Sequence, residues 1–392
     1  MAISDRVYKN MEASSWIRRM FETGALLKQQ YGADNVYDFS LGNPDVRPGD
    51  AFQQALEESV KEEDVNKHGY MPNAGYPHVR EAIARQITKE HGVEIPWQNI
   101  IMTCGAGGAL NVMLKTLLNP GDEVIVPAPY FVEYRFYAEN HGGTLIPIST
   151  THNFSLYIEE FEKNISEKTK VIILNSPNNP TGKVYSHKEL DALAELVKRK
   201  EKEIGRPIYI ISDEPYREIV FDGIEVPSVY RYFDNSIVIT SYSKTLSIPG
   251  ERIGWLAVYP NADAVQDLIN GAVLCNRVLG FVNAPALMQR VISKLQGQTA
   301  ELSLYKKRRD LFCDMLQRAG YTFTKPEGSF YLFPQAPGGD DIRIVEELQK
   351  ERILAVPGRG FGTPGYFRLS FCVNEKTIKN AENGFKTVID RI

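Results

Sequence analysis

Lys244 is the residue whose position most clearly suggests chemistry. It lies in the stretch T-S-Y-S-K-T, directly after an apolar run, and Arg252 follows it eight positions later. Burial of an ammonium group costs free energy unless the charge is paired, so a buried lysine is usually retained for a function. A lysine among small hydroxyl residues behind a buried strand is therefore a candidate for chemistry. Taken alone, S-x-S-K is more often an ordinary surface loop, so its interpretation depends on the other motifs.

Polar segments follow three further apolar runs. Asn179 lies in N-S-P-N-N-P-T-G, and Asp213 and Tyr216 lie in S-D-E-P-Y. A glycine-rich turn at 105–108 leads into a helix, where free N–H groups and the helix dipole suit a phosphate group. Each segment alone fits an ordinary turn or cap. The turn lacks the last glycine of G-x-G-x-x-G, and no ribose-binding acid follows, which disfavours a nucleotide-binding dehydrogenase.

The apolar runs predict the elements that position these groups. Runs rich in Ile and Val alternate with segments of helical periodicity, which is typical of an α/β fold with a mostly parallel sheet. We predict helices at 109–118 and 187–200, and strands at 100–103, 123–126, 170–174, 208–211, 237–240 and 255–258. Ligands bind at the carboxyl ends of strands in such sheets, which is where the polar segments fall.

The chain is predicted to form two domains. Towards the C-terminus the pattern changes to long helical stretches with short strands at 330–333 and 367–371. We predict a large domain at 46–286 and a smaller, discontinuous α+β domain formed by 1–45 and 287–392. The N-terminal segment is expected to pack on the C-terminal lobe, and the cleft between two such domains favours a ligand site.

Composition excludes several classes of protein. The 392 residues are 43% hydrophobic and 24% charged, as in an ordinary globular chain, and the net charge of −4 argues against a surface that coats nucleic acid or anionic lipid. The four cysteines form no C-x-x-C pair, so neither a metal site nor a disulfide framework is predicted. Neither a signal peptide nor a membrane span is predicted, which favours a cytoplasmic protein.

Four motifs together resemble a known family. S-x-S-K-x7-R-x-G, N-x-P-x-N-P-T-G, D-x-x-Y and a late R-L-S-F all occur between residues 41 and 371. The set resembles the fold-type I pyridoxal-phosphate enzymes, specifically the class I/II aminotransferase family typified by aspartate aminotransferase. The resemblance implies a mostly parallel seven-stranded sheet between helices, a smaller α+β domain, pyridoxal 5′-phosphate as cofactor, and a homodimer.

The resemblance also implies roles at the reacting end of the cofactor. Lys244 would form the Schiff base with the cofactor aldehyde and then move a proton to and from the substrate. Asp213 would pair with the pyridine nitrogen and keep it protonated, so that the ring can accept charge. Tyr216 and Asn179 would contact the 3-oxygen of the ring from its two sides.

The resemblance assigns the cofactor phosphate to donors from two segments. These residues are Gly105, Ala106, Gly107, Ser241, Ser243 and Arg252. Phe131 matches the aromatic residue that stacks on the ring, where many relatives carry Trp, so stacking is kept and an N–H donor is lost. Tyr70 matches the tyrosine that relatives lend to the phosphate of the neighbouring subunit.

The resemblance implies that Arg368 binds the substrate α-carboxylate, a role that suits a planar guanidinium with two parallel hydrogen bonds. By periodicity alone, an outward-facing, solvated arginine on this strand is equally compatible. By the resemblance, Gly42 would let the backbone approach the same carboxylate, and Asn179 would also contact substrate. Dicarboxylate-specific relatives use a second arginine from the partner subunit, and Arg277, which lies near that position, is a candidate for this contact to a distal carboxylate. Residues 16–18 (Trp16, Ile17 and Arg18) fit either a closing gate over the substrate or an amphipathic helix on the small domain.

The favoured function is an aminotransferase that moves the amino group of an L-amino acid, with aspartate preferred, to a 2-oxo acid such as 2-oxoglutarate by a ping-pong cycle. A lyase, a decarboxylase or an aminocyclopropanecarboxylate synthase would use the same residues and remains an alternative. A non-catalytic, ligand-sensing relative is another alternative. The acidic net charge and the filled catalytic positions argue against it.

Overall fold

The computed structural model describes residues 2–13 and 15–392, and its description of side chains leaves out 12–21. The gate predicted at Trp16, Ile17 and Arg18 lies outside the described side chains and stays a prediction. In the part of the chain that is described, no helix has the length and apolar character needed to cross a bilayer.

Helices occur along the whole described chain. They are α1 (Asp5–Ala13), α2 (Ser15–Tyr31), α3 (Asp50–Lys61), α4 (Pro77–His91), α5 (Gly105–Leu117), α6 (Glu133–Asn140), α7 (Ile158–Asn164), α8 (His187–Ile204), α9 (Tyr242–Thr245), α10 (Val265–Val278), α11 (Ala286–Ser293), α12 (Ser303–Arg318), α13 (Asp341–Lys350) and α14 (Glu375–Arg391). Of these, α5 and α8 correspond to the helices predicted at 109–118 and 187–200. Local signals set the ends of α8. Ser186 and Glu189 form a capping box at its start, and Gly205 adopts a left-handed conformation with a φ of 76° at its end.

The strands form one large sheet and two small ones. They are β1 (Tyr37–Asp38), β2 (Ile100–Thr103), β3 (Glu123–Ala128), β4 (Thr144–Ser149), β5 (Thr169–Asn175), β6 (Tyr209–Asp213), β7 (Ser236–Ser241), β8 (Gly254–Val258), β9 (Tyr331–Leu332), β10 (Ile353–Leu354), β11 (Val356–Pro357) and β12 (Phe367–Ser370). The large sheet has the order β2-β8-β7-β6-β5-β3-β4. In this sheet β8 runs opposite to the other six strands. The prediction of a mostly parallel seven-stranded sheet is confirmed.

Alternating side chains of the central strands enter two different cores. On β5, Ile172 and Leu174 belong to one apolar cluster, whereas Val171 and Ile173 belong to another. Successive side chains of a strand point to opposite faces, so each face of the sheet is covered by helices. Full burial of such a side chain contributes about 1.5–3 kcal/mol. The sheet is therefore a rigid base for the residues at its edge.

A separate apolar cluster lies in the C-terminal part of the chain and includes Phe39 from the N-terminal segment. There β1 pairs in parallel with β10, and β12 pairs antiparallel with β9 and β11. The boundary at 286/287 stays a prediction. Met288 and Val291 of α11 pack in the same cluster as Ile172 of the large sheet, which favours a later boundary.

Candidate active site

A cavity of about 330 Å³ opens at the carboxyl ends of β5, β6 and β7. Of the residues predicted for the site, it is lined by Gly42, Ala106, Gly107, Phe131, Asn179, Asp213, Tyr216, Ser241, Ser243, Lys244, Arg252 and Arg368. Parallel strands end at the same edge of a sheet, so motifs far apart in sequence meet there. Of the remaining predicted residues, Gly105 does not line the cavity but lies beside Arg252, and Tyr70 lies on the surface.

Lys244 sits on α9, the single helical turn that follows β7. Its Nζ donates a hydrogen bond to the carbonyl oxygen of Gly42 at 2.8 Å and lies 5.5 Å from the centroid of the Phe330 ring. Burial, together with the nearby charges of Arg368 and Arg252, lowers the pKa of Lys244 to about 8. A lysine with a lowered pKa carries more of the neutral, nucleophilic amine near neutral pH.

Asp213 ends β6 and is buried. Its Oδ2 accepts a hydrogen bond from the Tyr134 hydroxyl, whereas its Oδ1 is buried without a hydrogen-bond partner among the described residues. Burial raises the pKa of Asp213 to about 7. A buried carboxylate oxygen without a donor costs free energy, and a cationic N–H in the cavity would satisfy it. The protonated nitrogen of a pyridine ring fits this requirement.

Donors converge at the opposite end of the cavity. The first turn of α5 offers backbone N–H groups at Ala106 and Gly107, and the Ser241 and Ser243 side chains are buried beside Arg252. Gly105 has a φ of +74°, and a Cβ on it would lie 2.9 Å from Nη2 of Arg252. Glycine at 105 therefore lets the arginine approach the helix terminus. This donor set suits a phosphate dianion.

The wall between the two ends suits a flat ring. Phe131 lines the cavity and meets Tyr134 edge to face, with ring centroids 5.5 Å apart. The Asn179 backbone is fixed by a hydrogen bond from its N–H to Oδ1 of Asn175 at 2.7 Å. Asn175 also donates from Nδ2 to the carbonyl oxygen of Asp213 at 2.8 Å. A planar aromatic cofactor with a phosphate at one end thus fits the residues present.

Arg368 on β12 is held with its guanidinium in the cavity wall. It donates from Nη1 to Oδ1 of Asn179 at 3.1 Å and from Nη2 to the carbonyl oxygen of Ser40 at 2.7 Å. The guanidinium carbon lies 4.6 Å from the ring centroid of Tyr331 and 4.7 Å from that of Phe361. Its buried Nε has no hydrogen-bond partner among the described residues. This orientation presents a fixed cation to a carboxylate.

Tyr331, Tyr134, Tyr137 and Asn175 are part of the site, although they were not among the predicted residues. Tyr134 and Tyr137 follow Phe131 at three-residue spacing, so helical periodicity could have placed all three on one face. No spacing or motif in the sequence pointed to Tyr331. A Cβ on Gly42 would lie 1.7 Å from its hydroxyl oxygen, so glycine at 42 makes room for Tyr331.

Tyr70 and Arg277 do not line the cavity of their own chain. Tyr70 is 94% exposed, and Arg277 is exposed in the last turn of α10. The segments that carry them are adjacent, because Asn276 donates from Nδ2 to the carbonyl oxygen of Asn73 at 3.2 Å. Their predicted roles involve a second subunit and stay predictions.

Comparisons with known proteins agree with this geometry. The family profile described as "Aminotransferase class I and II" matches residues 34–384. A probable aspartate aminotransferase of Methanocaldococcus jannaschii is 33% identical over 97% of this chain and 98% of its own length. The crystal structure of an amino transferase from Eubacterium rectale superposes with a TM-score of 0.96 at 39% identity and covers 100% of this chain and 99% of that chain.

A second solved structure is the aspartate aminotransferase from Thermus thermophilus with maleate. It superposes with a TM-score of 0.85 at 26% identity, covering 95% of this chain and 96% of that chain. The family match spans most of the sequence, and the relatives cover nearly the full chain. The chain therefore belongs to the class I and II aminotransferase family and is a pyridoxal-phosphate-dependent aminotransferase.

Proposed function

We propose that this enzyme transfers the amino group of L-aspartate to a 2-oxo acid such as 2-oxoglutarate by a ping-pong cycle. The observation that carries the proposal is that one cavity joins the Lys244 amine, the Asp213 carboxyl group and the Arg368 guanidinium. Lys244 supplies a nucleophile and Asp213 a partner for a cationic ring nitrogen. Arg368 supplies two parallel N–H donors for an α-carboxylate.

Each residue near the cofactor then has a definite task. Lys244 Nζ would hold the cofactor through its aldehyde, and its amine would take the proton from the substrate Cα. Asp213 would hold a proton on the ring nitrogen, and Tyr216 would donate to the 3-oxygen of the ring. When bound, pyridoxal phosphate supplies the electron sink for the charge left at Cα. The donors around Arg252 hold its phosphate group.

Aspartate is favoured as amino donor by the relatives. The Methanocaldococcus jannaschii protein is named a probable aspartate aminotransferase, and the Thermus thermophilus enzyme binds maleate, a dicarboxylate. Among the described residues that line the cavity, the cations are Lys244, Arg252 and Arg368. These three are already assigned to the cofactor aldehyde, its phosphate and the α-carboxylate of the substrate. The distal carboxylate of aspartate therefore needs a cation from outside this cavity lining. We assign that task to Arg277 of the partner subunit.

A homodimer follows from the same proposal. Beside Arg277, α10 also exposes Leu274 and Val278, and the segment that carries the exposed Tyr70 lies next to this helix. A second copy on this face would bury that apolar surface and bring the two polar side chains towards its site. We also propose a division into a large and a small domain, and a cytoplasmic location, in keeping with four free cysteines.

The visible absorption spectrum of the holoenzyme tests the function directly. L-Aspartate should bleach the band of the lysine-bound cofactor, and 2-oxoglutarate should then restore it, which separates the two half-reactions. L-Phenylalanine serves as a matched donor without a distal carboxylate. Release of carbon dioxide or free ammonia from aspartate would instead support the decarboxylase or lyase alternative, and a spectrum that no amino acid changes would support the ligand sensor.

Arg368→Lys is expected to weaken substrate binding with a smaller effect on turnover. A lysine keeps the charge but cannot form two parallel hydrogen bonds to a carboxylate, so KM for aspartate should rise about 10- to 100-fold. Arg318→Lys is the matched control, because Arg318 makes a two-bond contact to Glu382 on the surface. An unchanged KM in Arg368→Lys would contradict the assigned role.

A further inference from the structure

Tyr331 lies between a residue assigned to the cofactor, Tyr216, and the residue assigned to the substrate carboxylate, Arg368. Its Oη is 3.2 Å from Oη of Tyr216, and both side chains are buried. The face of the Tyr331 ring packs against the guanidinium of Arg368. Tyr331 therefore touches both the tyrosine assigned to the cofactor and the arginine assigned to the substrate carboxylate.

Only one of two hydroxyl groups in contact can donate to the other. The backbone of Gly42 closes the space beside the Tyr331 oxygen, since a Cβ there would lie 1.7 Å from it. The positive charge of Arg368 draws electron density from the Tyr331 ring and makes its O–H the stronger donor of the pair. This argument favours the Tyr331 hydroxyl as the donor and the Tyr216 oxygen as the acceptor.

We propose that Tyr331 is a positioning residue that donates a hydrogen bond to Tyr216 and thereby directs the Tyr216 hydrogen towards the 3-oxygen of the cofactor. This inference rests on the proposed roles of Tyr216 and Arg368. Through the side chain of Tyr331, it links Arg368, which is assigned to the substrate carboxylate, with Tyr216, which is assigned to the cofactor.

The link has a measurable consequence for the nitrogen that joins Lys244 to the cofactor. A hydrogen bond from Tyr216 stabilises negative charge on the 3-oxygen, and this favours loss of the proton from the neighbouring nitrogen. The pKa of that nitrogen is read from the visible spectrum of the holoenzyme as a function of pH. Loss of the Tyr331 hydroxyl weakens the donor and should raise this pKa.

The test compares Tyr331→Phe, Tyr216→Phe and the double variant by spectrophotometric titration without substrate. Tyr331→Phe should raise the pKa by about half a unit, the size expected for one ordinary hydrogen bond, and Tyr216→Phe should raise it further. In the Tyr216→Phe background, Tyr331→Phe should add nothing, because the proposed effect of Tyr331 on the cofactor passes through the Tyr216 hydroxyl.

Tyr321→Phe is the matched control, since the Tyr321 hydroxyl is also buried and donates to the carbonyl oxygen of Phe385, away from the cavity. It should leave the titration unchanged, and circular dichroism checks the fold of every variant. If the pKa is unchanged in Tyr331→Phe but raised in Tyr216→Phe, the inference is wrong and the proposed function stands. Additive pKa shifts in the double variant would have the same meaning. Absence of any visible band in the unmodified holoenzyme would overturn the proposed function together with the inference.

Discussion

Lys244→Ala is expected to lower kcat by about 10⁴-fold or more while leaving the fold intact. Among the described residues that line the cavity, Lys244 is the one lysine. Alanine leaves no amine to attach the cofactor aldehyde and none to take the proton from the substrate Cα. The change also removes a buried cation with a lowered pKa, so stability should not suffer greatly.

Three measurements check this expectation. Borohydride reduction followed by peptide mass spectrometry should find the cofactor on Lys244 in the unmodified enzyme and on no peptide of the variant. Single-turnover kinetics with aspartate should show loss of the chemical step, and a thermal melt should report a folded protein. Wild-type turnover in Lys244→Ala would exclude the proposed mechanism.

Lys170→Ala provides a matched control. Burial also lowers the pKa of Lys170, but that side chain lies over the ring of Tyr209, near the start of β5 and outside the cavity. If the lowered pKa alone produced reactivity, both lysines would be modified by the cofactor. We expect Lys170→Ala to keep full turnover, because its amine does not face Asp213 and Arg368.

The sheet could be predicted because burial on both faces leaves a strong apolar signal. The six strands predicted from runs of Ile and Val are all present, with ends that shift by up to two residues. The seventh strand, β4, was missed because Pro147 interrupts the run T-L-I-P-I-S. Since β4 lies at the edge of the sheet, the missing N–H of Pro147 is tolerated there.

The site could be predicted where a short motif carries the information. Asp213, Lys244 and Asn179 lie in such motifs, at or shortly after strand ends. Tyr331 meets Gly42 and Tyr216 through contacts between segments more than a hundred residues apart in the chain. No spacing within the sequence reports such a contact. The gate at 16–18 and the tasks of the partner subunit depend on groups beyond the described side chains and stay predictions.

Asp213→Asn is the second variant with a large expected effect, and its change is nearly isosteric. Asp213 Oδ1 is buried without a partner among the described residues, while Oδ2 is held by Tyr134. Burial raises the pKa of Asp213 to about 7, and a cationic ring nitrogen beside it would favour the ionised form again. An amide has no charge with which to hold the proton on that nitrogen.

We expect kcat to fall about 10²- to 10³-fold in Asp213→Asn, the usual loss when one preorganised charge contact is removed, while cofactor binding through the phosphate survives. Steady-state kinetics and a fluorescence titration with pyridoxal phosphate separate the two effects. Asp122→Asn is the control, because Asp122 is also a buried aspartate but pairs with Arg206 at the far end of β3. That variant should lose stability and keep kcat. Equal losses of kcat in both variants would mean that Asp213 acts through packing, and a loss confined to Asp213→Asn would mean that it acts through charge on the ring nitrogen.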